Sequence, residues 1–504
     1  MKLKSKISIV GLSLLSFACS NLDTNNSDYL LGSQYPENAE QAIRVSTPVF
    51  AGTQSMLDNG GWWFTQEITS DEAVAPTRGA DWDDGGKWRQ LSKHEWTPTT
   101  EAVRNLWNFV YGNIPAANRA IELLEAGAAT SDAVKVVLAQ TKVSRAYYFY
   151  IAMDNFGAIP MPLTFTGANE FPARTPRAEV FAQLVKDINE SIPFLPVPKP
   201  GINSSSINKG TAYALLAKLY LNAQVYTGTA KWAEAAQACD QVMALGYQLE
   251  ANPLDSFKTK NEASKENIYT IAYDQDAFKG FNLHMRTLHY LSQLTFGMST
   301  SPWNGFATLE AHYNTFASND LRKKMLLSGQ QYDINGGIIT DPAVNDSPLI
   351  FTPYIPELQM SNTVYSKEVV KMSGVRVAKW EIAVGAKENL SNDFAIFRYA
   401  DFLLMKAEAQ VRISGAGAGD ALVNQIRTRA ELSASSGFTL NDILAERGRE
   451  MMWEGHRRQD LIRFGKFQNI WWEKNNTDPN RNLFPVPESA LLANSNLLPQ
   501  NQGY

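Results

Sequence analysis

The stretch of sequence that decides the fold is AYALLAKLYLNAQVYTGTAKWAEAAQACDQVMALG, residues 212–246. Its periodicity predicts one helix from Ala212 to Tyr226 and a second from Lys231 to Leu245. Gly228 breaks the pattern between the two helices, and Gly246 ends it, as glycine commonly does after a helix. The stretch therefore predicts a helix–turn–helix hairpin, with small residues where the helices would pack closely: Ala214, Ala217, Ala235 and Ala236.

Two further pairs of segments have the same helical pattern, at 101–126 with 132–154 and at 395–414 with 420–431. Residues that step by three or four positions share one face of a helix. The predicted fold class is therefore mostly α, with a scaffold of tetratricopeptide-like helical hairpins over about 35–270 and 395–504. In the last pair the shared face would carry Phe397, Ala400, Leu404, Ala407 and Val411.

The intervening segment, about 271–394, has a different character. Glycines and prolines interrupt it, and short β-like runs such as 267–273 border it. Segment 60–98 is also loop-rich and holds five tryptophans. Because binding residues are often carried on loops above a rigid scaffold, we expect these parts to form an irregular ligand face. Tryptophans on helical patterns are instead expected in the core: Trp107, Trp232 and Trp453.

The first residues have the pattern of a secretory signal peptide, predicted to span 1–18. Lys2, Lys4 and Lys6 precede an apolar run from Ile7 to Leu15, which is too short to cross a bilayer. Cys19 follows Ala18 directly, which predicts a bacterial lipoprotein with lipid on the Cys19 thiol and a polar tether over 19–34. The chain would then be held at a membrane by its lipid alone. An ordinary signal peptide with a chance cysteine is the alternative.

Composition excludes several classes of protein. The chain has 504 residues with 46 Lys+Arg against 51 Asp+Glu, so it lacks the basic surface that nucleic acid requires. None of the five histidines has metal-ligand spacing, and no nucleophile elbow or phosphate-binding loop is present. We predict no enzyme activity and no cofactor; structural calcium stays open, although no loop has EF-hand spacing. Cys239, on a helical pattern, is expected to be a buried apolar filler.

Clustered acids raise the alternative of a glycoside hydrolase, which needs two carboxyl groups at the scissile bond. One cluster is Asp81, Asp83 and Asp84, and another is Asp71 with Glu72. Spacing in sequence cannot place two carboxyls at one bond. The tryptophans and arginines around the first cluster suit hydroxyl binding and ring stacking, so binding is favoured over catalysis.

Charges near the C-terminus form a second pattern. Glu446, Glu450 and Glu454 recur every four residues and would form one stripe on a helix. Arg457 and Arg458 follow Glu454 by three and four residues, within reach for ion pairs. We favour an ion-pair network that holds the last helices to the scaffold over an anion-binding site.

Taken in order, several motifs make the mature chain resemble the SusD/RagB family of outer-membrane nutrient-binding lipoproteins. The resemblance covers nearly the whole mature chain, and its motifs are highly specific only together. They are LWNFVYGNIPAAN (106–118), RAYYFY (145–150), NFGAIPMP (155–162), KGTAYALLAKLYL (209–221), FRYADFLLMKAEA (397–409), NQIRTRA (424–430), ERGRE (446–450), WEGHR (453–457), DLIR (460–463), FPVP (484–487) and QNQGY (500–504).

The resemblance implies a surface lipoprotein of the outer membrane that faces the cell exterior. It would cover a TonB-dependent transporter of the SusC type as a lid. Such proteins bind poly- or oligosaccharides, and in some branches peptides, without cleaving them. A peptide-binding member of the family is therefore the second hypothesis, a glycoside hydrolase the third and a purely structural helical adaptor the fourth. Trp471 and Trp472 fit either a partner surface or packing.

The resemblance also implies ligand residues in an N-terminal loop rich in Arg, Asp and Trp and in the later irregular region. The first segment matches best at Arg78–Asp83, with Trp88 following, and the second at Ser301–Phe306. We predict Trp82 and Trp303 as stacking platforms, although Trp303 fits a core anchor equally well. A further platform is Tyr290, and the predicted hydrogen-bond partners are Arg78, Asp81, Asp83 and Asn304.

Overall fold

The computed structural model describes residues 35–36, 38–126, 131–165 and 171–504. The predicted signal peptide (1–18), the lipidation site Cys19 and the tether (19–34) lie outside the described residues. Within the described ranges, no helix combines the length and the apolar character that a membrane span requires.

Eighteen α-helices make up most of the regular structure in the described ranges. They are α1 (Ala39–Ala51), α2 (Trp62–Glu67), α3 (Lys87–Ser92), α4 (Glu101–Ala126), α5 (Asp132–Phe156), α6 (Arg177–Ser191), α7 (Lys209–Leu221), α8 (Ala223–Thr227), α9 (Trp232–Met243), α10 (Leu283–Thr287), α11 (Ser292–Phe296), α12 (Glu310–Tyr313), α13 (Lys367–Met372), α14 (Tyr399–Ser414), α15 (Asp420–Arg429), α16 (Leu440–Glu450), α17 (Arg457–Arg463) and α18 (Glu488–Ala493).

The long helices pack as the predicted pairs, α4 with α5, α7 with α9 and α14 with α15, which confirms a mostly α fold. The first predicted helix begins earlier than expected, because the Asn208 side chain caps the backbone N–H groups of Gly210 and Thr211. It is also divided at Asn222 into α7 and α8. Gly228 ends α8 with a φ of +78°, a conformation that side-chain-bearing residues rarely adopt.

Fourteen short strands in the described ranges pair two by two instead of forming one sheet. Eight of them, β6 to β13, lie inside the segment predicted to be irregular. The strands are β1 (Ala73–Val74), β2 (Thr77–Arg78), β3 (Ile159–Pro160), β4 (Arg174–Thr175), β5 (Asn267–Ile271), β6 (Ala307–Thr308), β7 (Leu326–Leu327), β8 (Gly329–Gln330), β9 (Thr340–Asp341), β10 (Ser347–Pro348), β11 (Ile350–Phe351), β12 (Gln359–Met360), β13 (Arg376–Val377) and β14 (Phe394–Arg398).

The helix predicted from 395 is wrong at its start. Residues 394–398 form β14, which pairs antiparallel with β5, and α14 begins only at Tyr399. Phe397 therefore packs in the main core, whereas Ala400, Leu404, Ala407 and Val411 share a separate cluster beneath α14. Pairing with a distant strand overrode the local helical period at Phe397.

The tryptophans on helices behave largely as expected. Trp107 and Trp453 are buried in the main core, and Trp232 is half-buried beneath the Arg412 guanidinium, 4.6 Å from its ring centroid. Trp471 and Trp472 are half-buried and pack against a smaller cluster that contains Ile355 and Leu358. Cys239 is a buried free thiol, and burial raises its pKa.

A buried ion-pair network joins the irregular region to the scaffold. Its centre is Arg398 at the end of β14, which is fully buried and contacts Glu266, Glu450 and Glu454. From the irregular region, Arg322 contacts Glu446 at 2.7 Å and Glu450 at 3.1 Å. The predicted network is confirmed, and it reaches further through the chain than the last helices alone.

One detail of the predicted network is wrong. Helix α16 ends at Glu450, so Glu454 does not continue its stripe. Glu454 pairs with Arg398 and Lys379, whereas Arg457 turns the other way and pairs with Asp71 at 2.6 Å. The break between α16 and α17 separates Glu454 from the arginine that a continuous helix would have placed beside it.

Candidate ligand-binding site

Two strand pairs bring the two predicted segments of the site together. β1 pairs with β6, which places Ala73 opposite Thr308. β2 pairs in parallel with β12, which places Thr77 opposite Gln359. Loop 79–89 therefore leaves β2 beside residues 301–306, which lead directly into β6.

An open pocket of about 420 Å³ lies between the two segments. Aromatic rings and polar side chains share its wall. We call it the indole pocket, and its lining residues are Asn59, Asp81, Trp82, Asp84, Trp88, Arg286, Tyr290 and Trp303.

Trp82 is half-buried and joins the two segments. Its indole Nε1–H donates to the Trp303 carbonyl at 2.8 Å, and its ring lies 5.1 Å from that of Phe306. Phe306 is itself fully buried, so one side of the Trp82 ring rests on the core while the residue stays partly exposed to the pocket. The backbone of Trp82 has a φ of +60°, a strained conformation that is often retained at functional sites.

Trp303 is also half-buried at the pocket wall. The Arg286 guanidinium lies 5.3 Å from its ring centroid, and the same guanidinium donates to the Asn59 amide oxygen at 3.2 Å. A cation held against one part of an indole fixes the ring and leaves the remaining surface for other contacts. Trp303 is therefore neither a plain core anchor nor a free side chain.

Tyr290 completes the aromatic part of the pocket and closes one side of it. Its hydroxyl donates to Asp81 Oδ2, and burial together with that carboxylate raises the pKa of Tyr290. Asp81 is exposed and comes from the N-terminal loop, whereas Tyr290 precedes α11. The hydrogen bond therefore links the N-terminal loop to the residues before α11 across the pocket.

A second cavity of about 210 Å³ lies on the other side of this hydrogen bond. It shares Tyr290 and Asp81 with the indole pocket. We call it the lysine cavity, and its lining residues are Arg78, Ala80, Asp81, Tyr290, Asn304, Ala343, Asn362, Lys367, Val370 and Lys371.

Three predicted ligand residues serve the framework of the site. Trp88 is 1% exposed, and its indole donates to Asp84 at 2.7 Å. Asn304 is fully buried; its amide donates to the Lys371 carbonyl and accepts from Arg376. Arg78 is 3% exposed and donates to the carbonyls of Gly305 and Val370. Trp88 and Asn304 nonetheless line the indole pocket and the lysine cavity respectively, so their direct contact with a ligand stays a prediction.

Asp83, the remaining predicted residue, is half-buried outside the indole pocket. It accepts from the Arg89 guanidinium at 2.7 Å and so fixes the loop that carries Trp82. Three pocket residues, Asn59, Asp84 and Arg286, are not among the predicted ligand residues, although Asp84 belongs to the acidic cluster of this loop. Asn59 and Arg286 come from parts of the chain without a distinctive motif, so no local signal identified them.

Within the described ranges, no group of three or more His, Cys, Asp or Glu side chains has a geometry that could hold a metal ion. All five histidines are buried. Burial lowers the pKa of His284 to about 4 and of His94, His312 and His456 to about 3, and it also lowers that of His289.

The fold agrees with comparisons against known proteins. A family model described as the SusD family matches residues 240–504, and another, described as "Starch-binding associating with outer membrane", matches 39–221. The chain belongs to the SusD family, which confirms the resemblance seen in its motifs.

Particular relatives extend this result. The starch-binding protein SusD of Bacteroides thetaiotaomicron is 25% identical over 463 residues, which cover 84% of this chain and 82% of that protein. A solved structure of a laminarin-binding SusD-like protein has a TM-score of 0.73 at 22% identity, covering 92% of this chain and 99% of the other. Surface glycan-binding protein A from Bacteroides thetaiotaomicron, solved with laminarihexaose, has a TM-score of 0.72 at 19% identity, with 91% and 99% covered. These two structures share the fold of this chain.

Proposed function

We propose that this protein captures a poly- or oligosaccharide in the indole pocket and holds it without cleaving it. The observation that carries the proposal is the pair of half-buried indoles, Trp82 and Trp303, fixed on one wall of an open pocket. Polar side chains stand beside them. The SusD family includes relatives whose names state that they bind starch or laminarin, which supports the same ligand class.

Sugar rings offer flat faces of C–H bonds and a rim of hydroxyl groups. Indole rings can lie against the faces, and Asn59, Asp84 and Asp81 can bond to the hydroxyls. If the scale for aromatic contacts applies, each stack adds about 0.5–1.5 kcal/mol beyond the area it buries. A few such contacts give a dissociation constant on the order of 1 μM to 1 mM, which suits a protein that must release its load.

The acids of the site support binding over hydrolysis. A hydrolase needs a protonated carboxyl group and an ionised one at the same bond. In the indole pocket Asp81 accepts from Tyr290 and Asp84 accepts from Trp88, so one oxygen of each carboxylate is already engaged by a donor of the protein. Burial raises the pKa of Glu67 to about 8, but this side chain is fully buried, accepts from the Gly455 N–H, and lines neither the indole pocket nor the lysine cavity.

The proposed setting is the outer membrane. A lipid on Cys19 would anchor the chain, and a TonB-dependent transporter of the SusC type would receive the glycan. The family description that refers to association with the outer membrane supports this setting. The modest affinity expected from the contacts above also fits delivery of the glycan to a transporter.

A calorimetry panel tests the proposal on the mature chain. The panel contains starch, laminarin, xylan, levan and pectin oligosaccharides, with a mixture of oligopeptides as the comparison. We expect binding to at least one carbohydrate and none to the peptides, and no release of reducing ends on long incubation. Binding of peptides alone, or steady release of reducing sugar, would contradict the proposal.

Gly305 gives a specific check on the position of Trp82. A methyl group built at residue 305 would overlap the six-membered ring of Trp82, so Gly305→Ala must displace the indole. Overpacking of this kind costs about 1–3 kcal/mol, and here the half-buried Trp82 ring can yield. We expect at least about tenfold weaker binding of the preferred oligosaccharide in calorimetry, with the fold retained.

Gly112→Ala is the matched control, because its added methyl group meets open space on α4. The control should bind as the parent protein does. Parent-like affinity in Gly305→Ala would show that the packed position of Trp82 has no part in binding.

A further inference from the structure

The lysine cavity contains an unusual excess of positive charge. Its lining includes three cations, Arg78, Lys367 and Lys371, but only one carboxylate, that of Asp81. The indole pocket has the opposite balance, with Asp81 and Asp84 against Arg286. The two cavities therefore differ in the charge of the group that each would accept.

The buried part of this charge lacks a carboxylate. Arg78 is 3% exposed, and behind Asn304 lies Arg376, which is fully buried. Both guanidiniums donate to neutral partners, namely backbone carbonyls and the Asn304 amide oxygen. In the described ranges neither has a carboxylate at salt-bridge distance, and Arg78 Nη2 has no hydrogen-bond partner there.

An uncompensated buried charge is costly, and proteins normally pair it. Burial lowers the pKa of Arg78 to about 9, and burial together with the neighbouring Arg78 lowers that of Arg376 well below its usual value. An anion in the lysine cavity would offset both penalties. Asp341 is a buried acid nearby, and its Oδ2 lies 3.8 Å from Lys371 Nζ and 3.8 Å from His289 Nε2.

Lys367 is available for such an anion, and the one carboxylate at ion-pair distance from Lys371 in the described ranges is that of Asp341, at 3.8 Å. Lys371 is half-buried with its Nζ 5.6 Å from the Tyr290 ring, and Lys367 is exposed. Among the described residues Lys367 has no ion-pair partner. An anion would therefore meet one buried guanidinium and two ammonium groups directly behind the Tyr290–Asp81 hydrogen bond.

We propose that the lysine cavity binds an anionic substituent of the captured glycan, a sulfate ester or a uronate carboxylate, while Trp82 and Trp303 hold its sugar rings. The shared wall supports this assignment, because Tyr290 and Asp81 line both cavities. The substituents of a glycan bound in the indole pocket would lie beside the wall formed by Tyr290 and Asp81. The inference rests on the proposed function and narrows its ligand to acidic glycans.

Matched pairs of ligands test the proposal by calorimetry. The pairs are laminarihexaose with sulfated laminarihexaose, and xylohexaose with a glucuronate-bearing xylan oligosaccharide. In at least one pair we expect the charged member to bind about tenfold more tightly, as charge-assisted hydrogen bonds suggest. That advantage should fall as sodium chloride is added, because salt screens exposed charge. The two pairs distinguish sulfate from carboxylate.

The double variant Lys367→Ala/Lys371→Ala locates the effect. It should lose the advantage of the charged member and keep the affinity of the neutral one within about twofold. The control Lys279→Ala/Lys324→Ala makes the same change in net charge at two exposed lysines that line neither cavity, and it should match the parent. Inorganic sulfate at millimolar concentration should weaken binding of the charged ligand alone.

Two results would overturn the proposal in distinguishable ways. If neutral ligands bind in a Trp82-dependent manner and charged ones gain nothing, the lysine cavity is not an anion site while glycan capture stands. If no carbohydrate binds at all, the proposed function fails and this inference fails with it. A charged-ligand advantage that persists in the double variant would place the anion elsewhere.

Discussion

Replacing Trp82 by alanine is expected to weaken binding of the preferred oligosaccharide about thirtyfold, equivalent to about 2 kcal/mol for loss of a central aromatic contact. The change removes the ring but leaves the strained backbone at a φ of +60°, since alanine meets the same restriction as tryptophan. Trp82 is half-buried, so the fold should survive. Calorimetry with the best ligand of the panel gives the affinity, and circular dichroism checks the fold.

The same change at Trp303 should have an effect of similar size, and the double variant should show no measurable binding. Trp472→Ala is the control, because Trp472 is also half-buried but lines a different cavity, beside Tyr354 and Ile355. Parent-like affinity in both Trp82→Ala and Trp303→Ala, with Trp472→Ala equally unaffected, would refute capture in the indole pocket.

The largest effect on stability is expected from Arg398→Met. Removal of the guanidinium leaves Glu266, Glu450 and Glu454 buried without their central partner. Breaking a buried ion pair costs about 3–5 kcal/mol, and three carboxylates contact the Arg398 guanidinium. We expect the free energy of unfolding in urea to fall by at least that amount, or the chain to fail to fold.

The control is Arg44→Met, which removes an exposed ion pair from the surface of α1. In that pair Arg44 Nη2 lies 2.7 Å from Glu40 Oε1. Exposed pairs contribute little, so this variant should unfold at the urea concentration of the parent. An Arg398→Met variant as stable as the parent would mean that the buried network does not hold the irregular region to the scaffold.

The pH dependence of stability follows from the same network. Burial alone would raise the pKa of Glu450, but Arg429, Arg398 and Arg322 hold it well below its usual value. A carboxyl with a lowered folded-state pKa stabilises the fold above the unfolded-state pKa, about 4.5, and loses that contribution as the pH falls further. The free energy of unfolding of the parent should therefore decrease as the pH falls below that value. In an Arg398→Met variant that folds, the same fall in pH should cause a smaller decrease.

The sequence by itself determined the helical hairpins and the family. Helical periodicity is a local property, and glycines such as Gly228 act on their own backbone, so both can be inferred without knowledge of distant contacts. Trp82 stands between two acids in the sequence, which disfavours deep burial, and its side chain is half-buried. Trp107, Trp453 and Cys239 were placed in the core by the same local pattern.

Only the tertiary structure decided which residues line the indole pocket. The absence of a side chain at Gly305 leaves space for the Trp82 ring, and the Arg286 guanidinium fixes the Trp303 ring. The Asn304 amide oxygen accepts a hydrogen bond from Arg376. Each contact joins residues far apart in the chain. The same is true of Arg398, whose partners Glu454 and Glu266 lie 56 and 132 positions away. Pairing across such distances depends on how the strands and helices pack, and on the cost of burying charge, neither of which leaves a periodic trace in the sequence.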